Sequence, residues 1–187
     1  MNTYLVLLRG INVGGKNKIP MTDLRTCLED IGFKNVITYI QSGNIILQSE
    51  DKEDTVQAKI EKILPAKFVL DSSIIKALVI TPAQLTTITD KAPSDFGKEP
   101  NAYRHDVLFA MGVDPREIIE QFKPREGVDE VWLGESAVYV RRPAINTPNA
   151  TRSRLGQIAQ VPVYKSITIR NWNTVTKLLA LLEEQPA

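Results

Sequence analysis

The apolar residues of this chain fall into short blocks whose spacing alternates between that of strands and that of helices. Thr3–Arg9 (TYLVLLR) is a β-rich apolar run ending at the turn-forming stretch Gly10–Gly15, which predicts a buried strand. Met21, Leu24, Leu28 and Ile31 then recur at helical spacing, with Pro20 and Thr22 suited to a first turn and Gly32 to a stop. Val36–Gln41 and Asn44–Gln48 are β-rich runs separated by Ser42 and Gly43, the pattern of a hairpin with a tight turn. Val56, Ile60, Ile63 and Leu64 mark a helix over Asp54–Leu64, open to continuation past Pro65, and Lys76–Ile80 (KALVI) reads as another strand.

The same order returns in the second half. Val107–Met111 is strand-like, and Pro115–Phe122 is helical with Ile118, Ile119 and Phe122 on one side. Val131–Leu133 and Ala137–Arg141 flank a hairpin at Gly134-Glu135-Ser136. Thr151–Gln160 is expected to be a helix, Ser166–Ile169 a short strand and Asn173–Glu184 an amphipathic final helix.

Strand, helix, hairpin, helix, strand is the split βαβ, or ferredoxin-like, arrangement, in which two helices cover one face of an antiparallel sheet. The expected fold class is α+β, with two tandem ferredoxin-like (βαββαβ) halves: residues 1–92 with the glycine-rich loop and residues 93–187 with an extra C-terminal helix. Thr81–Tyr103, which holds Pro82, Pro93, Gly97 and Pro100, is the expected connector, with the boundary near Pro93. The duplication rests on element order, because the halves share no residue-by-residue repeat.

Composition narrows the class without naming an activity. With 43% hydrophobic and 24% charged residues, the chain has the make-up of a globular protein rather than a disordered one. Its 23 bases against 22 acids give no overall field toward nucleic acid or membrane, so any such contact must come from a local patch. Distribution says more. Met1–Thr22 holds three bases (Arg9, Lys16, Lys18) and no acid, and Ser136–Arg170 holds six bases and no acid.

One cysteine, Cys27, and one histidine, His105, support neither an internal disulfide nor a structural zinc site, so no metal site is expected. Cys27 sits among Leu24, Leu28 and Ile31 and reads as a small buried hydrophobe, and His105 reads as structural. A reducing cytoplasm is the expected compartment. Tyr4–Leu8 is too short for a signal peptide, and no run reaches the roughly 18 apolar residues that would span a bilayer, so no membrane contact is expected.

Three segments are candidates for binding chemistry. In the first, Arg9, Gly10, Asn12, Gly14, Gly15, Lys16 and Asn17 follow a buried strand and precede a helix. Glycines let backbone amides approach a ligand, and a helix start favours negative charge, so an anion site is chemically reasonable. Neither the GxxxxGK[ST] nor the GxGxxG spacing is present. The alternative is a long turn whose glycines meet steric needs while its bases sit in solvent. In the second segment, Gln41, Ser42 and Asn44 surround the first hairpin turn and either serve that turn or project toward the first loop. In the third, Arg170, Asn171, Trp172 and Asn173 open the last helix. An asparagine there can cap it, leaving arginine and indole as a charge and stacking pair for a nucleotide, or the indole as a packing anchor. Arg141, Arg142, Arg152 and Arg154 are weaker phosphate candidates. No HExxH, GxSxG or paired-cysteine motif appears.

The strings LLRGINVGGKNKIPM (from Leu7), YIQSGN (from Tyr39) and RNWNTVTKLL (from Arg170) together resemble the bacterial family catalogued as domain of unknown function 1697 (DUF1697). The resemblance spans nearly the whole chain, with three motifs in the same order and the same strand and helix contexts. It implies two ferredoxin-like halves. It brings no activity, cofactor or catalytic residues.

Three function classes follow. The leading one is a protein that binds a small anionic or phosphorylated ligand such as a nucleotide, held by the first loop and the start of the last helix. The second is a single-stranded nucleic-acid or RNA binder, against which stands the presence of only Tyr39 on the first hairpin strands. The third is a phosphoester hydrolase or transferase, for which no general base or metal set is visible.

Overall fold

The structure is a computed structural model that describes residues 1–71 and 75–185. It is an α+β protein that divides into two compact units, Met1–Leu85 with Leu178–Ala187 and Thr86–Lys177. Each unit holds a four-stranded sheet in which every neighbouring pair is antiparallel. The step between units falls between Leu85 and Thr86, inside a helix, Pro82–Asp90, that occupies part of the stretch expected to be a plain connector.

The first unit runs β1 (Asn2–Arg9), α1 (Met21–Asp30), β2 (Lys34–Tyr39), β3 (Asn44–Ser49), α2 (Glu53–Lys67), β4 (Lys76–Ile80), with sheet order β2-β3-β1-β4. β1 is a central strand, and Tyr4–Leu8 is buried on both faces, as its unbroken apolar run requires. Leu24 and Leu28 of α1 and Val56, Ile60 and Leu64 of α2 share one buried cluster with Val6, Leu8, Ile45 and Leu47 of the sheet. Each such fully buried side chain contributes about 1.5–3 kcal/mol. Cys27 is buried on the inner side of α1, and burial raises its thiol above the ordinary range, so it is poorly nucleophilic. α2 continues through Pro65 to Lys67. The Glu61 carboxylate on that helix accepts from the Ala77 amide at 2.9 Å, which ties β4 to α2.

The first hairpin differs from the expected two-residue turn. Tyr39 pairs with Asn44, so Ile40, Gln41, Ser42 and Gly43 all lie in the connection. The reason is a close approach to β1: Leu8 donates its amide to the Gly43 carbonyl at 2.8 Å, and a Cβ on Gly43 would lie 2.8 Å from that of Leu8.

After α3 (Pro82–Asp90), the second unit runs β5 (Tyr103–Ala110), α4 (Pro115–Phe122), β6 (Glu130–Leu133), β7 (Ala137–Pro143), three short 3₁₀ turns and β8 (Ile167–Asn171), followed by α5 (Trp172–Glu183), whose residues up to Lys177 belong to this unit and the rest to the first. Its sheet order, β6-β7-β5-β8, is the order of the first unit again. Asp114 caps α4 by accepting from the Arg116 amide at 2.8 Å, with Pro115 at the first helical position.

The helix expected over Thr151–Gln160 is replaced by 3₁₀ turns at Ala150–Arg152, Arg154–Gln160 and Pro162–Ser166. Ser153 is extended and caps the second turn through the Leu155 amide, and Val161, preceding Pro162, is also extended, as a residue before proline prefers. Leu155 and Ile158 are buried at the three-residue spacing of a 3₁₀ helix. β8 runs on to Asn171, so Arg170 and Asn171 lie on a strand and α5 begins at Trp172.

Candidate functional site

The segment after β1 is a small hairpin of its own. Val13 and Lys16 form an antiparallel bridge, and the Lys16 amide donates to the Val13 carbonyl at 3.0 Å. Gly14 and Gly15 between them have φ of 58° and 77°, the doubly left-handed turn that two glycines adopt without steric cost.

Two asparagines set the shape of this hairpin. Asn12 donates through Nδ2 to the carbonyls of Ile19 at 3.0 Å and Gln41 at 2.9 Å, and its Oδ1 accepts from the Ile19 amide at 2.9 Å. Asn17 donates through Nδ2 to the Gly10 carbonyl at 2.6 Å, and its amide donates to Asp71 at 2.7 Å. Both have φ near +50°, a conformation asparagine tolerates better than most residues. In the first β2–β3 connection the fully buried Asn44 donates to the Tyr39 carbonyl and to Ser42 Oγ, each at 3.0 Å.

The structure therefore brings the first two candidate segments together, joined by Asn12 to Gln41 and by Leu8 to Gly43. Asn12, Asn17, Ser42 and Asn44 hold backbone and one another. Gly14, Gly15, Lys16 and the Gln41 side chain face solvent, while Arg9 and Gly10 are half-buried. The two hairpin tips also expose apolar side chains, Val13 at 60% and Ile40 at 49%.

The third segment belongs to the second unit. Arg170, opposite Val107 on β5, is buried and donates from Nη1 to Thr168 Oγ1 and to the Ile169 carbonyl, each at 2.8 Å. Burial pulls its guanidinium down to about 10, which leaves it charged at neutral pH. Asn171 accepts from the Asn173 amide at 3.1 Å, capping α5, and donates to the His105 carbonyl at 3.0 Å. Trp172 lies against Gly97 and meets Phe96 edge to face at 5.1 Å.

Phe96 is the centre of an aromatic group that sequence reasoning missed. His105, Tyr139, Trp172 and Trp132 surround it at 4.9 to 6.1 Å, all nearly perpendicular to it. Beside them, the Arg141 guanidinium lies 4.8 Å from the centre of Tyr103 and 5.6 Å from that of Trp132, and Glu130 accepts from its Nη2 at 2.6 Å. Register puts His105, Glu130 and Arg141 side by side, and Trp132 opposite Tyr139, on one sheet face. Period-two spacing within β5 (Tyr103, His105) and β7 (Tyr139, Arg141) was the available signal.

Burial holds the His105 imidazole below its ordinary range, the Arg141 cation adds to this, and Asp106 and Glu130 oppose it. A histidine with a lowered folded value contributes stability that is complete above its unfolded value, near 6.5, and is lost as pH falls through it. His105 is the chain's single histidine. The urea midpoint is therefore expected to fall between pH 7 and pH 5, and to fall less in His105→Gln; equal slopes in the two proteins would contradict this.

A shallow cleft of about 820 Å³ in the same unit runs between Lys91, Arg116 and Glu135. Both of its cations are paired, Lys91 with Glu135 and Arg116 with Asp114. Among the described residues no group of three His, Cys, Asp or Glu side chains is placed to hold a metal ion, and no helix is long and apolar enough to cross a membrane.

No curated protein matches the chain. Among solved structures it is similar to that of the conserved bacterial protein SP0830 from Streptococcus pneumoniae, at 26% identity and a TM-score of 0.78, over 96% of this chain and 98% of that one. Residues 1–139 match the family described as protein of unknown function (DUF1697), a stretch that holds the first two of the three recognised strings. The chain belongs to the DUF1697 family.

Proposed function

We propose that this protein binds a small anionic or phosphorylated ligand, nucleotides included, at the glycine and asparagine hairpin of its first unit. The observation that carries this reading is that Asn12 and Asn17 fix the hairpin internally, so the Gly14 and Gly15 backbone and the Lys16 ammonium are presented without rearrangement. Preorganisation of this kind lowers the cost of binding. A Cβ on either glycine would meet nothing within 4 Å, which leaves room for a ligand against the backbone. The segment Met1–Thr22 contains no acid to oppose an anion, although Asp71 is bonded at the hairpin's base. The reading rests on the first unit alone.

Each unit is, on the same proposal, a ferredoxin-like split βαβ domain. The repeated order in which the first strand lies between the third and fourth supports this, with 3₁₀ turns standing in for the second helix of the second unit. A cytoplasmic setting is part of the proposal, supported by the lone buried thiol.

A thermal-shift screen of nucleotides, sugar phosphates and carboxylates tests the binding. A ligand at about 100 times its Kd stabilises the fold by roughly 2.7 kcal/mol. For a chain of this size that raises Tm by roughly 5 to 10 °C. Lys16→Ala should remove the shift while leaving the unliganded Tm in place, because Lys16 is exposed. If no anion shifts the wild type, or if Lys16→Ala responds as the wild type does, the reading fails and the glycines serve the turn alone.

A further inference from the structure

We propose that the aromatic face of the second unit binds an unpaired nucleobase, stacked on Tyr103, Trp132 and the guanidinium of Arg141. This site is separate from the first-unit hairpin and does not rest on that reading.

Three π surfaces lie together there. Arg141 is within cation–π distance of both Tyr103 and Trp132, and Glu130 holds it in that orientation, so the planar cation is fixed before any ligand arrives. Tyr103, Trp132 and Arg141 are all only partly buried, whereas Phe96, His105 and Tyr139 beside them are buried. The buried members pack as a base, and the partly exposed ones, Arg141 with 22% of its side chain accessible, present the remaining surface to solvent.

His105 Nε2 and Arg141 Nε, which have no hydrogen-bond partner among the described residues, lie beneath this surface and are closed to solvent, so the choice of ligand rests on the exposed planes and the fixed cation. An aliphatic group gains nothing from the cation. A nucleobase has the flat π surface that such planes take, and stacking on aromatic and guanidinium planes is how proteins hold unpaired bases. Such a base comes either from a free nucleotide or from a single-stranded nucleic acid.

The chain's two tryptophans both contact Phe96, so its entire tryptophan emission reports on this group. Titration with AMP, UMP, oligo(A), oligo(U) and oligo(dA) is expected to quench that emission. Quenching by the oligomers at much lower concentration than by AMP or UMP identifies a single strand as the source, and similar concentrations identify the free nucleotide. By calorimetry, Trp132→Ala should weaken the best of these probes by roughly 5- to 150-fold, the range that loss of one stacked base gives. Trp132→Phe should restore most of the affinity. Arg141→Lys keeps the charge but loses the plane, and should also weaken binding, whereas a purely electrostatic site would tolerate it. Absence of quenching by every probe overturns the proposal, as does unchanged affinity in folded Trp132→Ala. Quenching that Lys16→Ala abolishes would place the base elsewhere and overturn it too.

Discussion

Replacing Gly97 by alanine is expected to destabilise the protein by about 2–5 kcal/mol, the sum of left-handed backbone strain and of overpacking a fitted contact. Gly97 has φ of 90°, and a Cβ there would lie 2.5 Å from both Cδ1 and Nε1 of Trp172. The indole has little room to retreat, since Phe96 meets it edge to face at 5.1 Å. Gly112 provides the control within the same unit: its φ is 72°, but a Cβ would meet nothing within 4 Å. Gly112→Ala should therefore cost only the strain, about 1–2 kcal/mol. Urea unfolding of both variants measures the difference, and equal losses would show that the indole contact carries no energy. A double-mutant cycle with Trp172→Ala sharpens the test, because Gly97→Ala should cost less once the ring is gone. This fit also bears on the two sequence readings of Trp172, whose partly buried ring packs against Gly97 and Phe96.

What the sequence made legible follows from how local each cause is. β1, β3 and the apolar half of β5 from Val107 were visible because their apolar runs are self-contained, whereas the polar half, Tyr103–Asp106, shows no such run. α3 was hidden because Pro82 was counted with Pro93, Gly97 and Pro100 as a mark of the connector. Proline at a first helical position loses no hydrogen bond, and Thr81 with Gln84 forms a reciprocal cap at 2.7 and 3.2 Å that the spacing Thr-Pro-Ala-Gln already encodes. That signal was present and local. The 3₁₀ turns were less accessible, because the decision between 3₁₀ and α geometry over Arg154–Gln160 depends on Ser153 and Pro162 closing the stretch at both ends.

The candidate sites were less legible than the fold. The glycines and bases of the first loop stood out by composition, but what the asparagines do depends on partners as far away as Gln41, 29 positions on from Asn12. The aromatic face was missed as a group, although Trp172 and Arg141 were each singled out: the register of β5, β6 and β7 brings Tyr103, Trp132 and Tyr139 together, and Phe96, from the stretch before β5, joins Trp132 and Tyr139 to Trp172 at the start of α5. Polar residues at turns are thus ambiguous in sequence for a physical reason, since the same amide can bind a ligand or staple the loop that would bind it.

Asn12 decides between those roles, and Asn12→Ala is expected to melt the first-loop hairpin. The side chain makes three hydrogen bonds, two to carbonyls and one from an amide. At a net 0.5–1.5 kcal/mol each their loss costs about 2–4 kcal/mol. Alanine at φ of 52° adds roughly 1 kcal/mol of strain. That total is large for a short hairpin otherwise held by the Val13–Lys16 bridge, the Asn12 amide on the Asn17 carbonyl and the Asn17 bonds, so the loss should appear first as local opening. Amide exchange at Val13–Asn17 should accelerate by orders of magnitude, and trypsin should cut at Lys16 and Lys18 under conditions in which the wild type is intact. Asn12→Gly separates the two contributions, because it removes the same three bonds while accepting the left-handed conformation, and it should open the hairpin slightly less than alanine does. Anion binding at the hairpin should weaken in step with opening, since a ligand must then supply the ordering that Asn12 supplies in the wild type. Exchange and cleavage unchanged in Asn12→Ala would mean that β1 and the β2–β3 connection alone fix the loop. Loss of anion binding without any change in exchange would mean that Asn12 contacts the ligand directly.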